Sequence, residues 1–380
     1  MDTITHGALG AAAAQSALSS RLPRGAGLIG AVGGMAADLD IFIYSFNDPT
    51  VSWMFHRNFT HSLIFIPLGG LIVTLPFLLM KRFKNHKREV FLAAIIGYAT
   101  HGLLDAFTSY GTQLLWPFAN LRVAWDWMPI VDPIYTIPLW TGVIWTARTG
   151  DPKTVRVAFL LSCLYICFGG WQFHRAAESQ KALAAMRGHR IEFSRVLPAP
   201  GWLLFWRSLY VSNGRLYADG VETRWFGSTL ALEGGSVNLT KFDDLPENAR
   251  SNAESRRRFY VLNWFADRLI APVATARAGV PAFGDMRFTA AVESLTPLWG
   301  LQFDPASGDS RRWSPPSNQG REIGRMLKAL VFGDLRYKPL TELGALNAVP
   351  RARRWFPRKT QNGLPYTARG SSIAPKSLLV

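Results

Sequence analysis

Residues 63–80 read LIFIPLGGLIVTLPFLLM, an uncharged run closed by Lys81-Arg82. A stretch of this length and composition is long enough to cross the roughly 30 Å hydrocarbon core of a bilayer as a helix. It has company. Residues 3–19, 26–46, 90–108, 130–147 and 155–172 are also apolar. The first 172 residues are therefore expected to form a polytopic transmembrane bundle of five to six helices, with 3–19 short for a full crossing. Gly27, Gly30, Gly33 and Gly34 in the second segment suit close helix packing. Basic connectors at Arg21/Arg24, 81–88 and Arg148/Lys153/Arg156 alternate with connectors of low positive charge at 47–61 and 109–129. Cytoplasmic loops carry the excess of Lys and Arg. This pattern predicts that all three basic connectors share the cytoplasmic face, with the aromatic loop 109–129 at the opposite interface.

The composition changes near residue 173. The first 172 residues carry 12 Lys/Arg against 9 Asp/Glu, the remainder 30 against 17. Alternating segments at 190–197, 202–211, 215–226 and 285–293, punctuated by Pro and Gly, predict a soluble, β-rich mixed α/β domain over 173–350. One or two helices are expected within 241–268. A basic tail rich in Pro, Gly and Ser, 351–380, is expected to be flexible. The net charge of +16 invites a nucleic-acid partner. The basic residues are scattered, however, apart from Arg256-Arg257-Arg258, and no zinc-finger, basic-zipper or RNP pattern occurs. Anionic lipid headgroups are the simpler counterpart, so the expected partner is the bilayer. Protein partners are left open. Cys163 and Cys167 read as small apolar residues on one helix face, neither bridged nor metal-bound.

The ionisable residues inside or beside the apolar runs carry the chemistry. His101 and Asp105, four apart, share one helix face. Asp38 and Asp40, two apart, are placed where the second segment ends and the backbone turns. Thr60 is expected to cap the helix that follows, so that His61 projects from its first turn while His56 reaches in from the loop. These residues gather on the face opposite the basic connectors, and His6 joins them there if residues 3–19 cross the membrane. Asp38, Asp40 and Asp105 concentrate negative charge there, with only Arg57 and Arg122 on the same side. Crowded carboxylates repel unless a cation or protons intervene. A divalent ion supplies that charge and also uses the imidazoles. Asp132, just before Pro133, lies on the same face as a second-tier candidate. His86, His174 and His189 receive no role.

Thr5-His6-Gly7, Asp38-Leu39-Asp40, His56-Arg57-Asn58-Phe59-Thr60-His61-Ser62 and His101-Gly102-Leu103-Leu104-Asp105 resemble the motifs of the YdjM family, bacterial inner-membrane proteins regarded as metal-dependent hydrolases. Ser109-Tyr110-Gly111-Thr112 and Trp116-Pro117-Phe118 fit the same pattern, and the resemblance covers about residues 1–150. It implies a distant relationship to the all-helical zinc phospholipase C and nuclease group, which hydrolyse phosphoesters with zinc held by His and Asp. The implied metal ligands are His6, Asp38, His56, His61, His101 and Asp105. The soluble relatives also use an N-terminal amine as a ligand, for which no equivalent is expected here. The implied location is the inner membrane, with the site and the C-terminal domain on the periplasmic side.

The expected activity is metal-assisted hydrolysis of a phosphoester or lipid-like ester. The ion, zinc or alternatively manganese, lowers the pKa of bound water toward ~7 and polarises the ester. Asp40 or Asp132 would take the proton, and Arg57 or Arg122 would hold an anionic phosphate. The alternatives are a metal or proton transporter, which also needs ionisable groups inside spans, and an envelope scaffold with a structural metal.

Overall fold

The computed structural model describes residues 1–22, 25–275, 277–315, 328 and 336–340. The expected tail 351–380 and the connector residue Arg24 lie outside the described residues. The helical part consists of α1 (Thr3–Leu18), α2 (Ala26–Ala36), α3 (Thr50–Phe55), α4 (Ile66–Leu78), α5 (Lys87–Ala106), α6 (Pro133–Thr149) and α7 (Lys153–Met186). Asp2 caps α1, accepting from the Thr5 amide at 3.0 Å and the Thr5 hydroxyl at 2.6 Å. Helix α1 is central, packing on α2, α5, α6 and α7.

Length and composition of the helices support fewer than the five or six expected spans. Among the described residues two helices are long and apolar enough to cross a membrane, α5 and α7, or three if the bent pair Thr50–His61 and Leu63–Leu78 counts as one. The others are short: α1 has 16 residues, α2 has 11, α4 has 13 and α6 has 17. The shortening has local causes. Helix α2 tightens at Ala37 into a 3-10 turn, Ala37–Phe42, that carries Asp38 and Asp40. The run before α4 is folded into the 3-10 turns Phe59–His61 and Leu63–Phe65. Helix α6 opens on Pro133, a residue suited to a first helical position.

Helices follow one another in alternating directions. His6 near the start of α1, Asp38 just after α2 and Asp105 near the end of α5 therefore come to one end of the bundle. Arg21, the 81–88 connector and the 148–156 connector fall at the other end, where Arg156 Nε donates to the Ser16 carbonyl at 3.1 Å. The sign pattern of the connectors is thus realised as two chemically different ends.

Helix α7 is continuous for 34 residues, so the compositional change at 172–173 falls in the middle of a helix. Val157, Leu160, Leu161 and Leu164 are exposed on its first half, while His174, Glu178 and Lys181 are exposed beyond Trp171. The surroundings change along the helix without breaking its backbone. Its polar half docks the C-terminal part, with Gln180 Nε2 donating to the Leu209 carbonyl at 2.9 Å and to Ser208 Oγ at 3.0 Å.

That C-terminal part contains β1 (Phe193–Pro198), β2 (Phe205–Ser212), β3 (Arg215–Glu222) and β4 (Leu230–Asn238), an antiparallel meander. A second antiparallel sheet holds β5 (Ile270–Val273), β6 (Ala282–Asp285), β7 (Gly300–Phe303) and β8 (Ser310–Trp313). The short β9 (Lys338–Pro339) pairs with β4. Helices α8 (Glu247–Ser251) and α9 (Ala253–Phe265) lie where one or two helices were expected. The strand expected over 285–293 is absent. Strand β6 ends at Asp285, whose carboxylate turns the chain by accepting from the Arg287 amide at 3.1 Å and from Arg287 Nη2 at 2.7 Å.

The approach of α1 to α2 depends on Gly34, because a Cβ there would lie 2.3 Å from the His6 carbonyl oxygen. Forced separation of packed elements costs about 1–3 kcal/mol. Gly34→Ala is therefore expected to lower the thermal unfolding midpoint in detergent by an amount matching that cost; an unchanged midpoint would show that the two helices need not touch.

Candidate metal centre

Four ligand atoms converge at one end of the bundle. Asp38, His61, His101 and Asp105, all buried, each offer one atom, and these atoms lie within 4.8 Å of one another. The spacings are 2.9 Å between His101 Nε2 and His61 Nε2, 3.4 Å from His101 Nε2 to Asp38 Oδ1, and 3.2 Å from His61 Nε2 to Asp105 Oδ2.

Hydrogen bonding on the far side of each ring shows what these atoms are. His101 Nδ1 lies 2.5 Å from the Gly34 carbonyl, which can only accept, so Nδ1 carries the proton. His61 Nδ1 faces Asp40 Oδ2 at 3.2 Å and Thr60 Oγ1 at 3.0 Å. The Thr60 hydroxyl already donates to Asp40 at 2.8 Å, so this side of His61 is a donor as well. In the neutral rings both Nε2 atoms are then lone pairs. Two lone pairs and two carboxylate oxygens thus point at one volume. Asp105 Oδ2 is buried without a hydrogen-bond partner, since Arg57 Nε, 3.1 Å away, lacks the alignment to donate.

This donor set fits a divalent ion. Ligands at ~2.1 Å around a tetrahedral centre are roughly 3.4 Å apart; the spacings above, with 3.6 Å from His101 Nε2 to Asp105 Oδ2 and 3.9 Å from His61 Nε2 to Asp38 Oδ1, bracket that value. Outer groups fix the tautomers in the manner usual for metal-binding histidines.

Two glycines permit the approach. Gly34 supplies the carbonyl to His101, and a Cβ at Gly102 would lie 2.3 Å from the His61 carbonyl oxygen. The spacing of His56 and His61 is explained by the 3-10 turn between them: Thr60, expected as a helix cap, instead holds Asp40 and His61.

The remaining expected residues are placed as follows. His6 stacks on His101 with centroids 3.7 Å apart and turns Nε2 to Asp105 Oδ1 at 3.0 Å, leaving its buried Nδ1 without a hydrogen-bond partner. His56 Nδ1 is 2.6 Å from Asp40 Oδ1, one layer outside the four atoms. Asp40 is a hub, met by His56, His61, Thr60 and the Arg57 amide. Its oxygens are engaged, which argues against its expected use as a free base. Asp132 is not brought to the group. It caps α6 through the amides of Ile134 at 2.9 Å and Tyr135 at 3.2 Å, and accepts from the Tyr165 hydroxyl at 2.9 Å.

The arginines also differ from expectation. Arg57 sits with a left-handed backbone, φ 63°, donates to Thr108 Oγ1 at 2.7 Å and lies over the Tyr110 ring at 4.8 Å. Arg122 reaches away, donating to the Phe265 carbonyl at 2.6 Å and to the Tyr110 carbonyl. Both are internal ties, because burial makes each guanidinium take the nearest acceptors. The Met1 amino nitrogen, for which no role was expected, lies buried against Asp105 Oδ1. Sequence reasoning also missed Thr3, whose hydroxyl donates to Asp38 Oδ2 at 2.5 Å, and the Gly34 carbonyl. Neither carries a signal readable without the fold.

A helical membrane-protein domain with a buried four-ligand Asp/His group, followed by an antiparallel-sheet domain, is the class defined by these features. Residues 1–176 match the model of the YdjM inner membrane protein family, which supports the resemblance read from the motifs of this part of the chain. No curated protein and no solved structure matches the chain.

Removal of an outer group that orients a metal ligand typically costs 10–100-fold in affinity. Asp40→Ala is expected to weaken metal binding by about that factor, measured by competition with a chelating indicator. His61→Ala and Asp105→Ala are expected to lose most of the bound metal in elemental analysis, and full occupancy in both would reject the assignment.

Proposed function

We propose that the protein is a metal-dependent hydrolase of the bacterial inner membrane, acting on a phosphoester or lipid-like ester at the membrane surface. The observation that carries this reading is the convergence of four buried side-chain atoms able to ligate a metal, two imidazole nitrogens and two carboxylate oxygens, within 4.8 Å of one another. Zinc, or alternatively manganese, would be held by Asp38, His61, His101 and Asp105, and when bound supplies an activated water and a Lewis acid toward the ester oxygen. His6 and the Met1 amino group, both against Asp105 Oδ1, stand close enough to complete or extend the ligand set.

The chain's own residues divide the remaining work. Asp40 and the Gly34 carbonyl hold the two ligand rings in one tautomer. His56 is 22% exposed and paired with Asp40, which suits it to take a proton at Nε2 while Asp40 steadies the resulting charge. Arg57 balances Asp105 from the protein side. Ion transport is disfavoured because Asp38, Asp40, His101, Asp105 and Arg57 gather at one end of the bundle, and among the described residues no chain of buried ionisable groups runs through its depth. In this reading the basic connectors are cytoplasmic, and the centre and the C-terminal domain are periplasmic.

Purified protein is expected to hydrolyse a phosphoester or phospholipid, to stop on chelation and to recover with zinc or manganese. His56→Ala is expected to lower kcat by about 10²–10⁴-fold while retaining metal, the range of a lost general base. Equal turnover by chelated and loaded protein would sink the assignment.

A further inference from the structure

The segments that carry the ligands turn polar side chains inward and apolar ones outward. In the turn Ala37–Phe42, Asp38 and Asp40 are buried, whereas Leu39 and Ile41 are exposed and Phe42 is 69% exposed. The chain runs on through exposed Tyr44 to Phe46, 91% exposed, before Asp48 ties it to Arg257 and Arg258 of α9. The same division holds beside His61, where Ser62 is buried and Leu63 and Ile64 are exposed. From there the apolar surface continues along α4 through Leu68, Leu71, Ile72 and Leu75.

Length bears on what covers this surface. Helix α4, with 13 residues, rises about 20 Å, and α2, with 11, about 17 Å at 1.5 Å per residue. The hydrocarbon core is about 30 Å thick. The helices alone leave roughly 10 Å of it unmatched, on the side where the apolar turns continue the band. The opposite approach to the centre is closed by protein. Tyr110 lies 5.3 Å from the His56 ring, with Phe265 at 5.0 Å and Phe288 at 6.4 Å on it from the C-terminal part. Among the four ligand residues, Asp38 keeps 11% of its side chain exposed and His61, His101 and Asp105 none.

We propose that residues 39–46 are embedded in the lipid bilayer as an apolar collar around the metal centre. This rests on the membrane reading above and deepens it. The exposed edge of Asp38 then lies at headgroup depth, and the partner that reaches it is a membrane lipid. The C-terminal domain sits against the surface through the Asp48 tie.

The test is depth measurement by spin label, which needs neither bound metal nor turnover. Phe42→Cys and Phe46→Cys are each made in a Cys163→Ser/Cys167→Ser background, because both native thiols are exposed. The labelled proteins are placed in phosphatidylethanolamine/phosphatidylglycerol nanodiscs. Collisions with oxygen and with a water-soluble nickel chelate are compared with those of labels at Leu160 on α7 and at Ser307 in a surface loop. At both collar positions oxygen is expected to dominate, as at Leu160. Nickel dominance, as at Ser307, would overturn the proposal. So would protection from both reagents, which marks cover by a second copy or by another part of this chain. Loss of hydrolysis with an oxygen-dominated label would reject the functional reading and leave the collar standing.

Discussion

Two imidazole nitrogens face each other across 2.9 Å with a carboxylate oxygen beside each. With both rings neutral, such a meeting is repulsive in a buried site unless positive charge lies among the four atoms. The surrounding structure keeps the arrangement in place. Asp40 and Gly34 fix the rings from behind, and small residues allow α1, α2 and α5 to bring their ligands within reach.

The group is also tied to the C-terminal domain. Arg57 lies between Asp105 and the Tyr110 ring, and Tyr110 carries Phe265 of α9 on its other side. Arg195 of β1 clasps Asp126 of the aromatic loop at 2.6 and 2.7 Å, and Asp267 as well. Burial pushes the Asp126 carboxyl up, and Arg195 opposes that shift. A buried charge pair stands only while both partners are present, so the two domains are joined by charges that neither could leave uncompensated. These ties hold the end of the bundle that carries the Asp/His group against the C-terminal domain.

Parts of this organisation were legible early and parts were not. The i, i+4 pair His101/Asp105 has one reading on a helix, and the accumulation of aspartates without matching cations called for a counter-charge wherever they met. The separation of His56 from His61 was less readable, because a 3-10 turn defeats arguments from helical spacing. Asp132 shows the limit most clearly. Its place before Pro133 fits both a capping residue and a catalytic carboxylate, and only the Tyr165 hydroxyl and two amides show that its oxygens are occupied. Arg57 and Arg122 were read as free cations for the same reason: sequence records a charge but not what lies beside it.

The primary structure alone determined that apolar segments would pack with acidic and imidazole groups at one end and basic connectors at the other, since hydrophobicity and charge are properties of residues in order. It also determined the division into a helical first part and a strand-rich second part. Tertiary structure decided how far each helix runs, which four side chains meet, and which carboxylates stay behind as supports. Those outcomes depend on distances of a few tenths of an ångström between segments far apart in the chain, and residue order does not contain them.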